Sequence, residues 1–186
     1  MTREDILEAA AQVFRQKGFH GASMQDIAKA VNLQKPSLYH HVSSKQDILL
    51  ALLNRALALL LERLSPIASQ DIPADKKLQQ MIRAYLRILA ENTDLSSVLL
   101  FEHRSLERKQ HARHVPHRDK FEALWRDVLE EGVAAKILIC EDPALATRAT
   151  LGILNWTITW YHPDGALEID EIADRYSKLL LNGLCK

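Results

Sequence analysis

Cysteine is scarce: two in 186 residues, Cys140 and Cys185, at a spacing that matches no metal-ligand pattern. That scarcity argues against a structural disulfide and points to a reducing, cytoplasmic setting. Net charge is missing too, since 24 Lys and Arg balance 24 Asp and Glu. The chain is therefore no polycation that holds nucleic acid by bulk attraction, and any such contact must be local. No apolar run approaches the roughly 20 residues of a membrane span, and Met1 leads into a charged amphipathic segment with no apolar leader. The six glycines form no phosphate-cradling loop, and Ser, His and carboxylates lack the spacing of a catalytic set. Repeats and low-complexity tracts are absent as well. A soluble, all-α, non-enzymatic protein without a cofactor is expected.

What is present is concentrated between Ser23 and Lys45, SMQDIAKAVNLQKPSLYHHVSSK. Ser23 with Asp26 is a capping box ahead of an apolar run, Met24, Ile27, Ala28 and Val31, so a helix starts there. Asn32 tolerates the left-handed conformation that closes a helix. Pro36 then falls in the first turn of a second helix, about Lys35 to Val42, where a missing N–H costs nothing. Leu38 and Val42 hold that helix to the first. Gln34, Lys35, Ser37, Tyr39, His40 and His41 are left facing outward, with groups suited to base edges and phosphates in a major groove. Over residues 1–45, six Lys and Arg stand against four Asp and Glu, and His20, His40 and His41 add to that mildly basic end. The pattern reads as a helix-turn-helix; the bland alternative is a helical hairpin that only packs.

The resemblance of residues 3–49 is to the DNA-binding domain of the TetR family of one-component repressors. It is carried by Phe14, Lys17-Gly18-Phe19, Ser23-Met24, Asp26-Ile27-Ala28, Ser37-Leu38-Tyr39-His40-His41 and Ser44-Lys45. Asn32 stands where the family usually has Gly, and Pro36 where it often has Gly or Ala; both suit the geometry. The resemblance implies a homodimer on a palindromic double-stranded operator, with Ser23, Gln25, Gln34, Lys35, Ser37, Leu38, Tyr39, His40 and Lys45 at the DNA. Gln34, Lys35 and Ser37 are the candidate base readers, while Tyr39 and Lys45 would grip phosphate.

Elsewhere, Thr2 to Asp5 caps a first helix that runs to Gly18, and Ser44 with Asp47 opens a long one, closed by Ser65-Pro66. Helices follow to about Asn92 and over Leu95–Phe101, and Pro116 kinks or restarts the next one. Asp142-Pro143 opens a helix to about Tyr161 that is apolar all round. Leu145, Ala149, Gly152, Trp156 and Trp160 share one face; Leu151, Leu154, Ile158 and Tyr161 lie opposite. Such a helix is buried on both sides, and near the end of a chain this size the second side faces another copy. A last amphipathic helix contains Tyr176 and Leu180. Leu154, Trp156, Ile158, Trp160, Tyr176 and Leu180 are thus the expected dimer contacts. The fold class is all-α with about nine helices: a tri-helical DNA-binding domain over residues 1–46, then a larger ligand-binding and dimerisation domain over 47–186.

His103, His111, His114 and His117 invite a metal reading, but no carboxylate or Cys completes the set, so a solvated basic face is preferred and no metal is expected. Arg104, Arg108, Lys109, Arg113 and Arg118 could instead receive an anionic group such as a nucleotide phosphate. Tyr85, Phe101, Arg104, Trp125 and Asn155 are the candidate ligand-binding residues. The later half also resembles a TetR subgroup that responds to acyl-coenzyme A thioesters. That likeness rests on Phe101-Glu102-His103-Arg104-Ser105-Leu106, Arg118-Asp119, Leu124-Trp125, Gly152, Asn155-Trp156, Trp160-Tyr161, Pro163-Asp164-Gly165 and Leu179 to Gly183. It implies a small hydrophobic or acyl-coenzyme A effector. A regulator answering to hydrophobic drugs and a helical small-molecule-binding protein with no DNA role are the alternatives.

Overall fold

The computed structural model describes residues 2–184, and Cys185 lies outside the described residues. Among them are nine α-helices, two short 3-10 turns and no strand. In chain order the helices are α1 (Arg3–Gly21), α2 (Met24–Ala30), α3 (Lys35–Leu38), α4 (Lys45–Ala68), α5 (Ala74–Glu91), α6 (Thr93–Phe101), α7 (Arg108–Ala134), α8 (Pro143–Trp156) and α9 (Ile169–Leu184).

Local chemistry sets the starts. Thr2 Oγ1 accepts from the Asp5 N–H (3.2 Å) while the Asp5 carboxylate accepts from the Thr2 N–H. Ser23 and Asp26 repeat that exchange at α2 (2.9 and 3.1 Å), and Ser44 Oγ accepts from the Asp47 N–H at 3.0 Å before α4. Asp142 caps α8 through the Leu145 N–H at 2.9 Å, with Pro143 at the first helical position. These bonds satisfy N–H groups that a helix start leaves orphaned. Gly18 interrupts α1 with φ 69°, a left-handed value that costs a side-chain-bearing residue dearly.

Three ends differ from expectation. α4 continues through Pro66 to Ala68, and α7 runs unbroken through Pro116. Beyond Pro116 the residues Phe121, Trp125, Val128 and Leu129 are buried at helical spacing, so packing carries the register past one lost bond. α8 is α-helical only to Trp156 and passes into a 3-10 turn over Thr157–Thr159.

The chain divides into two compact units. The first comprises Met1–Ala58 and Asn92–His117, the second Leu59–Glu91 and Arg118–Lys186, so α4 and α7 each contribute to both. In the first unit, Ile6, Phe14, Ile27, Leu38, Leu49 and Val98 are fully buried in one cluster that fastens α1 to α2, α3, α4 and α6. In the second, α5 packs along α9, and Arg83–Asp174 and Arg87–Asp170 pair across the seam. Lys77 is buried and donates to both Glu131 oxygens at 2.8 and 2.7 Å. Gly132 is demanded by close approach: a Cβ there would sit 2.4 Å from Leu138 Cδ1 and 3.0 Å from Ala74 Cβ.

Candidate nucleic-acid interface

α2 and α3 are joined by a turn at Asn32, which adopts φ 54° as its residue type allows. The turn is closed by Leu33 N–H donating to Ala28 O at 2.9 Å and Asn32 N–H to Lys29 O at 3.1 Å. α3 is shorter than periodicity suggested. After Leu38 the chain tightens, with His40 N–H bonding Ser37 O and His41 N–H bonding Leu38 O (3.2 and 3.0 Å), and so reaches Val42. The reason lies in two anchors: Leu38 and Val42 are both buried, and a tight turn between them suffices to bring both into the core.

Gln34, Lys35, Pro36, Tyr39 and His40 are exposed, Ser37 is half-buried, and Ser23 and Gln25 are exposed at the start of α2. Two expected DNA contacts are corrected. Leu38 has no exposed surface, so it anchors the helix and cannot touch a duplex. Lys45 is half-buried, donates from Nζ to Phe19 O (2.8 Å) and Ala22 O (2.7 Å), and lies 4.4 Å over the Phe19 ring. Its charge, shared between two carbonyls and a ring face, ties the end of α1 to the start of α4.

A second junction in this unit escaped sequence reasoning. Gln46 donates from Nε2 to Ser105 O (2.9 Å) and accepts at Oε1 from Glu107 N–H (3.1 Å), while Ser105 Oγ lies 3.3 Å from His20 Nε2. The segment between α6 and α7 is thereby pinned to the end of α1 and the first turn of α4. Contacts spanning 59 residues or more leave no local signal. Arg104 is exposed here, Phe101 is 53% exposed, and His114 is buried with Nδ1 2.9 Å from Asn54 Oδ1.

In the second unit Tyr85, Trp125 and Asn155 do meet. Tyr85 OH donates to Asn155 Oδ1, and the Tyr85 ring stacks on Phe121 (6.0 Å) and meets Trp125 edge-on (5.8 Å). Burial raises the Tyr85 phenol far above its usual pKa. Phe101 and Arg104 belong to the other unit. Phe121, one turn before Trp125 on the same face, was findable from its i, i+4 spacing. A groove of about 400 Å³ in this unit is lined by Arg118, Arg126 and Arg148 with Asp119 and Glu122. Of the cationic run singled out earlier it contains Arg118 alone; Arg104, Arg108, Lys109 and Arg113 fall in the first unit.

Along α8 the face Leu145, Ala149, Gly152, Trp156 is exposed, with Leu145 at 62% and Trp156 at 66%. Leu179 on α9 is 64% exposed, Trp160 39%, and Ile158, Tyr176 and Leu180 are half-buried. Leu154 is corrected: with no exposed surface it packs within its own unit and is not open to a partner.

The arrangement defines a helix-turn-helix protein, with a braced two-helix DNA reader in one unit and a helical bundle with a bare apolar face in the other. The chain belongs to the tetR family of bacterial regulatory proteins, whose model matches residues 6–52, and a tetracyclin repressor-like C-terminal domain model matches residues 71–184. It is similar to the HTH-type transcriptional repressor KstR2 of Rhodococcus jostii, 25% identical over 184 residues covering 98% of this chain and 90% of that protein. Among solved structures, the TetR family transcriptional regulator PfmR of Thermus thermophilus superposes with a TM-score of 0.87 at 35% identity, covering 97% of this chain and 99% of that one. AibR, solved in complex with isovaleryl coenzyme A and operator DNA, superposes with a TM-score of 0.90 at 26% identity, covering 96% and 97%. No helix among the described residues is long and apolar enough to cross a membrane.

Proposed function

We propose that the protein is a homodimeric, ligand-responsive transcriptional repressor that binds a palindromic operator and is released by an acyl-coenzyme A type effector. It acts in the cytoplasm and performs no catalysis. The observation that carries the DNA reading is the split of the α3 region into buried Leu38 and Val42 and exposed Gln34, Lys35, Tyr39 and His40. Gln34, Lys35 and Ser37 read bases, helped by Ser23 and Gln25 at the start of α2; Tyr39 and His40 meet the backbone. Pairing through α8 and α9, with Trp156, Trp160 and Leu179 at the seam and Ile158, Tyr176 and Leu180 beside it, sets two such readers about 34 Å apart, one turn of duplex.

The effector reading is supported by the likeness to AibR, whose structure holds isovaleryl coenzyme A, and by two features of the second unit. The Tyr85–Trp125–Asn155 cluster suits an acyl group, and the Arg118, Arg126, Arg148 groove offers guanidinium groups to coenzyme phosphates. Such a ligand lowers DNA affinity only by binding better to the arrangement whose readers are mis-spaced. Residues 1–46 thus act as the reader and 47–186 as sensor and dimeriser.

The test is a gel shift on the upstream DNA of its own gene. Lys35→Ala and Tyr39→Phe are each expected to weaken binding about tenfold, roughly 1.4 kcal/mol, and isovaleryl coenzyme A to dissociate the complex. Unaltered binding in both variants would remove α3 from the DNA.

A further inference from the structure

Trp125 is fully buried, yet its indole Nε1 has no hydrogen-bond partner among the described residues. Thr157 Oγ1 and Ser177 Oγ, in the same unit, share that condition. Buried polar atoms are almost always paired in native proteins, so three orphans in one bundle call for an acceptor from outside the chain. Indole can only donate. The rings packed against it are Tyr85, whose hydroxyl is already committed to Asn155 Oδ1, and, beyond Tyr85, Phe121. A water held there would need about two to four polar partners, which aromatic rings do not supply. A carbonyl oxygen borne on an apolar chain needs only one donor.

Charge narrows the choice further. None of the hydrogen bonds or ring contacts of Tyr85, Phe121, Trp125 and Asn155 involves a cation. An ionised carboxylate lodged against these four groups would find no charge partner among them. The raised Tyr85 phenol reports the same poorly solvated surroundings.

We infer that Trp125 donates its indole N–H to an uncharged carbonyl oxygen of the effector, so that this site accepts thioesters and refuses the corresponding free acids. The inference rests on the effector reading above and sharpens it: the acyl group is recognised at its carbonyl as well as along its chain.

The experiment uses full-length protein labelled with 15N-tryptophan, whose three indole resonances are assigned with Trp156→Phe and Trp160→Phe, both exposed positions. Isovaleryl-, octanoyl- and palmitoyl-coenzyme A and their free acids are titrated in, with calorimetry alongside. The expected result is a downfield shift of the Trp125 indole proton with at least one thioester and none with its acid. Trp125→Phe, which keeps the aromatic body, is expected to lose about tenfold in affinity for that thioester. A thioester that binds by calorimetry while the Trp125 indole stays in place overturns the inference and leaves the effector reading intact. An acid that moves the indole as far as its thioester overturns it too. Absence of heat with all three thioesters overturns both together. The wild-type titration decides the matter even if Trp125→Phe fails to fold.

Discussion

Lys45 shows how one side chain can be mistaken for a DNA ligand when it is a brace. Its ammonium holds two backbone carbonyls, Phe19 O and Ala22 O, which no local sequence pattern would pair with it. Lys45→Met should lower unfolding free energy by about 2–3 kcal/mol, the cost of unpairing charge-assisted bonds, read by urea titration. The slope of log operator affinity against log salt should stay as in the wild type, because no phosphate contact is lost. Leu38→Ala should cost about 2–5 kcal/mol, as for any fully buried leucine, and weaken DNA binding only as far as it unfolds the reader. Asp26 gives the acid response. The bond from Lys17 Nζ (2.6 Å), then those from Ser23, hold its carboxyl well below the ordinary 3.8. The unfolded chain thus takes up that proton more readily, so the stabilisation is complete above 3.8 and is lost as pH falls towards the folded value. Asp26→Asn should flatten the acid limb of a stability-against-pH curve followed by circular dichroism.

At the level of elements, α8 is where the proposed assembly can be tested. Its stripe of Leu145, Ala149, Gly152 and Trp156 is bare, and a Cβ on Gly152 would meet nothing within 4 Å. Trp156→Glu should give monomers by analytical ultracentrifugation, with loss of operator binding at concentrations where the wild type is saturated. Helix starts were legible in the sequence because a cap is a conversation over three residues: Thr2, Ser23, Ser44 and Asp142 all do what their type and spacing require. The ends were harder. Pro66 and Pro116 are overridden by packing, and α3 stops early because Val42 can be buried without more helix. On α8 the two faces were separable, but both were apolar, so Leu154 was offered to the dimer when it belongs to the core. Tyr85, Trp125 and Asn155 were found by residue type alone; that they meet needed coordinates.

Taken whole, the neutral chain conceals a division. The first unit carries eleven Lys and Arg against eight Asp and Glu, a surplus of three, and the second carries 13 against 16, the matching deficit. Operator affinity should therefore fall linearly on a log scale between about 50 and 200 mM salt, measured by fluorescence anisotropy. The apolar stripe has an optical corollary as well. Two of the three tryptophans, Trp156 and Trp160, are exposed, and the third, Trp125, is fully enclosed. If copies pair through that stripe as proposed, the two exposed indoles leave water, and ultraviolet emission should shift to the blue as copies associate and back to the red on dilution. The chain is its own dye for counting partners.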